Sequence, residues 1–322
     1  MYQVENDTKS RLFTRLAMTT ALLTVGLIVF GAVVRVTDSG LGCGNEWPLC
    51  DGRVIPPLDN VTAWIEWAHR LFAALIGAFG LATLFVAWRA YRGRNALVLG
   101  STLAAAFLFL VQSGLGALVV VLDLPPTMVT MHLGTAMLLL GALLIAAVSS
   151  WYKPSINYAR DHVTLLMFIS LALALVIILS GALVRGSGAT LACTDWPLCN
   201  GEVLPFEQGQ LQTVHMMHRY AVVGFGFTLG LLVWYVWRTR SSNAVRVLAA
   251  SAFGVYLLQA LVGALFVFTQ AAPVWGASHV GLASINWAVL VCLVVVEMLN
   301  SREIVKEQSN QEWISQSEMV TN

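Results

Sequence analysis

Four of the six histidines, His69, His132, His218 and His279, fall inside long apolar stretches. An ionisable side chain there is costly and usually marks a site. Their spacing is regular, with 149 residues from His69 to His218 and 147 from His132 to His279. Paired neutral imidazoles on facing helices of a bundle core are what axial ligation of a haem iron requires. For one such residue alone, a hydrogen-bonded core histidine is the ordinary reading, but four at repeated positions favour ligation. A metal pump or proton relay would carry carboxylates deep in several helices. None is evident, and almost no other ionisable residue falls inside the apolar stretches.

Arg70 and Arg219 follow their histidines directly, and Arg35 and Arg185 end apolar runs. Guanidinium forks suit the propionate carboxylates of a haem; interfacial snorkelling is the competing account. Gly114, Gly116 and Gly263 suit close approach of a macrocycle or, more ordinarily, of a helix. Glu66 stands three residues before His69, on the same helix face, and its counterpart is His215. An acid beside one pair but not the other points to chemistry at the first site and electron supply or stability at the second. A solvated interfacial carboxylate is the plainer alternative.

The elements that position these residues follow from composition. The 322 residues are 58% hydrophobic and 11% charged, which excludes a large soluble domain. A helix spanning a hydrocarbon core of about 30 Å needs roughly 20 apolar residues. Eight runs qualify, near 16–34, 64–88, 97–121, 128–150, 163–184, 213–237, 246–269 and 274–299. The first follows Lys9, Arg11 and Arg15 but lacks a small-residue cleavage site, so it reads as a retained helix. No basic nucleic-acid stripe or phosphate loop occurs, and the polar tail after Leu299 reads as frayed.

Lys and Arg concentrate in one set of loops and in both tails, placing both termini in the cytoplasm and the loops 35–63 and 185–212 outside. Cys43 and Cys50 share one outer loop, Cys193 and Cys199 the other. Two intraloop disulfides are therefore expected in an oxidising compartment. A four-thiolate zinc site would need two distant loops to converge. Cys292 reads as an inert apolar helix residue.

The chain repeats itself. GAVVR at 31–35 recurs as GALVR at 181–185, EWPLCDG at 46–52 as DWPLCNG at 195–201, and QSGLGALVV at 112–120 as QALVGALFV at 259–267. EWAHR at 66–70 and MHLGTA at 131–136 are echoed by HMMHR at 215–219 and SHVGLA at 278–283. Copies of four helices have parallel topology. The expected fold is all-α, a polytopic membrane protein of eight transmembrane helices in two tandem four-helix bundles. The halves are 1–150 and 151–322, jointed at 151–162.

With an arginine-ended first helix, a GLGC to WPLC outer loop, an ExxHR helix start and paired histidines in each half, the chain resembles haem A synthase, the bacterial relative of a mitochondrial cytochrome oxidase assembly factor. The likeness covers 16–300. It implies oxidation of the C8 methyl group of haem O to a formyl group, giving haem A for an aa3-type oxidase in the bacterial cell membrane, with dioxygen and an electron donor. It further implies that Glu66, His69 and His132 belong to the substrate half, and that His218 and His279 hold haem B. Haem O synthase is the plausible preceding partner. One departure is that CGNEWPLC has one more residue between its cysteines than CTDWPLC. The rival functions are a two-haem b-type cytochrome confined to electron transfer and a protein that delivers haem unchanged. The oligomeric state is left open.

Overall fold

The computed structural model describes residues 2–154 and 159–320, with side chains over 8–154 and 159–301. Eight long helices make up the described residues: α1 Tyr2–Val36, α2 Val61–Tyr91, α3 Ala96–Val121, α4 Pro126–Trp151, α5 His162–Gly186, α6 Gln210–Thr239, α7 Asn243–Phe268 and α8 Pro273–Val320. Each contains a stretch long and apolar enough to cross a membrane. The chain is thus an all-α, multi-pass membrane protein. The spans expected from the sequence all appear, and several run a few residues longer. Residues 155–158 of the expected joint lie outside the described residues. The backbone of the tail, expected as frayed, continues α8 to Val320.

Local chemistry sets the ends. The side chain of Asn60 accepts from Ala63 N at α2, and that of Asn95 accepts from the first turn of α3. Asp161 forms a capping box with Thr164 at α5. Pro126 and Pro273 open α4 and α8, where a missing N–H costs nothing.

Helices α1 to α4 pack in a ring, α1 on α2 and α4 and α3 on α2 and α4; α5 to α8 repeat that order. The halves meet through α1 with α8, α4 with α5, and α4 with α8. Lipid tails are as apolar as leucine, so small residues and hydrogen bonds must hold such helices together. Ala17, Ala21, Ala105, Ala146, Ala249 and Ala252 are accordingly buried. Leu22, Leu81, Phe107 and Phe227 are exposed, as lipid-facing side chains are. At the centre, the Trp287 indole donates to the Met137 carbonyl at 2.7 Å.

The repeat reaches backbone detail. Asp51-Gly52 and Asn200-Gly201 both take positive φ in two-residue turns, closed by Cys50 with Arg53 and Cys199 with Glu202. The α3–α4 turn at Asp123 and Leu124 matches the α7–α8 turn at Gln270 and Ala271.

Where the repeat breaks, it corrects the sequence reading. Glu297, inside α8, is a buried carboxylate that the apolar pattern concealed, only 1% exposed. Arg240 reaches it at 2.7 Å and holds Asp161 at 2.6 Å, while Thr164 donates to Glu297 at 2.7 Å. In the first half the hydroxyls of Thr14 and Ser150 lie 2.7 Å apart and those of Ser10 and Tyr91 2.9 Å apart. Tyr91 and Ser150 thus stand where the second half has Arg240 and Glu297.

Candidate haem-binding sites

His69 lies eight residues into α2 and His132 six into α4, so both imidazoles sit about 12 and about 9 Å from the helix ends that carry the disulfide loop. His218 and His279 repeat those depths in α6 and α8. His69 is close enough to His132 to interact with it electrostatically, and His218 is likewise close to His279.

Each ring rests on a glycine of the preceding helix. A Cβ added at Gly31 would stand 3.2 Å from His69 Cε1, and one at Gly116 would stand 3.1 Å from that of His132. The matching distances are 3.1 Å from Gly181 to His218 and 2.9 Å from Gly263 to His279. Gly116 and Gly263 therefore admit an imidazole, not a bare helix or macrocycle, and Gly114 has nothing within 4 Å. Gly31 and Gly181 stand in the GAVVR and GALVR repeats, whose arginines had drawn attention instead.

A haem fits these residues. The Nδ1 atoms of His69, His132 and His279 are buried without a hydrogen-bond partner, and Nδ1 of His218 is bonded to Ser180 at 2.8 Å. With Nδ1 buried in His69, His132 and His279 and hydrogen-bonded in His218, Nε2 is the nitrogen that would meet a metal; that of His132 lies 3.1 Å from the Gln112 amide nitrogen. Two imidazoles in each half suit an iron porphyrin, which would take one nitrogen from each side.

Glu66 is 3% exposed rather than solvated. It pairs with Arg70 one turn on and accepts from the Cys43 N–H at 2.9 Å. His215, equally buried, stands 3.2 Å from Arg219 in the same relation. Both arginines also reach into their disulfide loops: Arg70 donates to the carbonyls of Glu46 at 3.2 Å and Leu49 at 2.9 Å, and Arg219 to those of Pro197 and Leu198. That grip on loop carbonyls depends on contacts over more than 20 residues and left no local signal. Arg185 reaches Asp38 at 3.5 Å, joining the C-terminal ends of α5 and α1.

The loop cysteines form two disulfides, Cys43 with Cys50 and Cys193 with Cys199, as expected. The four-thiolate zinc alternative falls with them. The extra residue in the first loop is accommodated, with Cα–Cα distances of 4.3 and 4.6 Å.

Residues 14–291 match the model of the COX15-CtaA family, described as cytochrome oxidase assembly protein. The chain belongs to that family. It is 32% identical over 296 residues to a protein of Alkalihalophilus pseudofirmus named Heme A synthase, covering 88% of this chain and 97% of the relative. It is also 32% identical over 289 residues to the Heme A synthase of Symbiobacterium thermophilum, covering 86% and 93%. Family membership spans both halves, so each histidine pair lies within the matched region.

Proposed function

We propose that this chain is a haem A synthase that oxidises the C8 methyl group of haem O to a formyl group, within cytochrome oxidase assembly. The observation that carries the reading is the duplicated pair of buried imidazoles, each seated on a glycine. In this reading 1–150 is the substrate half, where His69 and His132 hold haem O, and 151–322 is the half where His218 and His279 hold haem B. A resident haem B supplies one-electron transfer when bound. Converting methyl to formyl takes two hydroxylations; in each, dioxygen gives one oxygen atom to the carbon and one to water while an outside donor supplies two electrons, and the resulting diol loses water to leave the formyl group. Haem O synthase supplies the substrate. The bacterial cell membrane is the setting, with both termini cytoplasmic and the disulfide loops outside, in keeping with the loop charges.

The protein's own groups position and shift protons. The His69 and His132 imidazoles orient the substrate, and the enclosing helices keep it from water. Glu66, one turn before His69, pairs with Arg70 and accepts from the Cys43 N–H. There it can take a proton from the reacting carbon or orient a water. The disulfide keeps the Cys43 N–H aimed at it.

Haem extracted from the purified protein tests the assignment. Haem B together with haem O or haem A at about equal amounts is expected; haem B alone would contradict it.

A further inference from the structure

The two histidine pairs occupy equal positions but are held differently. In the second half, the Ser180 hydroxyl lies 2.9 Å from the Ile177 carbonyl and 2.8 Å from Nδ1 of His218. With Nε2 on a metal, Nδ1 would carry the ring proton, and Ser180 could accept it while donating to Ile177. The partner ring is steadied by Gln259, whose amide donates to the His279 carbonyl at 2.8 Å and leaves the imidazole alone.

The first half lacks both features. Phe30 stands where Ser180 would be and meets His69 only as an aromatic edge at 5.8 Å. Gln112 matches Gln259 in the repeat, but its amide nitrogen lies 3.1 Å from Nε2 of His132. An amide N–H can only donate, so the lone pair that an iron would need is taken by Gln112.

We infer that Gln112 is a positioning residue that competes with iron for His132 Nε2 and makes the first haem site exchangeable, while Ser180 locks His218 for a resident haem. The inference rests on the two-site reading above and extends it. Were haem bound there, the Gln112 N–H would offer the His132 Nε2 lone pair an alternative to a metal, with no change of oxidation state. Ser180, on Nδ1 of His218, would offer none. An enzyme whose substrate and product are both haems needs one site that releases and one that retains.

The test is transfer of haem from the purified full-length protein to excess apomyoglobin, with haem O and haem B followed separately by chromatography. Wild type is expected to release haem O faster than haem B. Gln112→Met, similar in shape but without the amide, should slow haem O release roughly tenfold, in the range seen when groups around a metal ligand are changed. It should raise the low-spin fraction of that haem and leave haem B release unchanged. Ser180→Ala should speed haem B release by a similar factor. A merely structural Gln112 predicts the opposite sign, so haem O release at the wild-type rate or faster overturns the inference. If Gln112→Met fails to fold, as lost haem B absorption would reveal, Gln112→Asn, whose shorter amide cannot reach Nε2, must give the slowed release instead. A wild-type protein yielding only haem B would overturn the two-site reading itself, a different result from unequal sites that do not respond to Gln112.

Discussion

Arg70 closes an ion pair on Glu66 one turn earlier in α2, and the same guanidinium grips the carbonyls of Glu46 and Leu49 in the loop before α2. Glu66 thereby joins the first histidine pair to the disulfide loop, since its other oxygen accepts from the Cys43 N–H. Glu66→Gln keeps an acceptor for Cys43 but removes the charge. The purified variant should retain haem B while haem O, or its hydroxylated intermediate, replaces haem A. Unchanged haem A would reduce Glu66 to a loop anchor, and loss of all haem would make it structural.

The ligands can be separated from their surroundings. His218→Ala or His279→Ala should remove low-spin haem B, whereas changing His162, which packs against Tyr235, should leave it. Gly263→Ala, whose new methyl would press on His279 at 2.9 Å, should shift the haem B absorption and midpoint potential. Gly114→Ala, with open space around it, is the matched control. Equal spectra for the two alanine variants would refute the seating of the rings on glycine.

The Arg240 and Glu297 pair in the second half should be replaceable by the hydroxyl residues that stand there in the first. Arg240→Tyr alone takes the guanidinium from buried Glu297, at a cost of about 3 to 5 kcal/mol, and should lower the melting temperature in detergent. Adding Glu297→Ser, which copies the Tyr91 and Ser150 arrangement, should recover most of the loss. No recovery would show that the two ends are not interchangeable.

Acid should act on the same tie. The hydrogen bond from Arg240 is the main reason that Asp161 is lowered from 3.8 to about 2. A depressed folded-state value means a stabilisation fully present above the unfolded value and lost as pH falls through the folded one. Helix content followed by circular dichroism should show this contribution fading between about pH 4 and about pH 2, and Asp161→Asn should flatten that part of the curve. An identical acid limb in the variant would remove Asp161 from the account.

Non-reducing peptide mapping should recover Cys43 linked to Cys50 and Cys193 to Cys199. Each bridge closes a short loop, so losing one costs about 2 kcal/mol by loop entropy. Replacing Cys43 and Cys50 by Ser should diminish haem A more than haem B, because the Cys43 N–H aims at Glu66. The reverse order would detach the first loop from the first site.

What the sequence disclosed followed the cost of placing groups in lipid. Eight apolar runs, the repeat and four misplaced histidines were all legible, because a membrane leaves few ways to carry them. Glu297 was not, since it sits near the end of an apolar run and its partner Arg240 lies 57 residues away; reading it against Ser150 in the repeat was the available signal. Ser180 carries no sequence signal that separates it from any other small helix residue. Arg70 and Arg219 were read toward propionates because nothing local announces a grip on loop carbonyls.

The most direct test of the central claim is chromatography of haems extracted from membranes of a bacterium that makes haem O but lacks its own haem A synthase, with and without this chain. Haem A should appear when the wild-type chain is present and be absent with Glu66→Gln. Haem O and haem B alone in the presence of a folded, haem-B-containing wild-type protein would contradict the account.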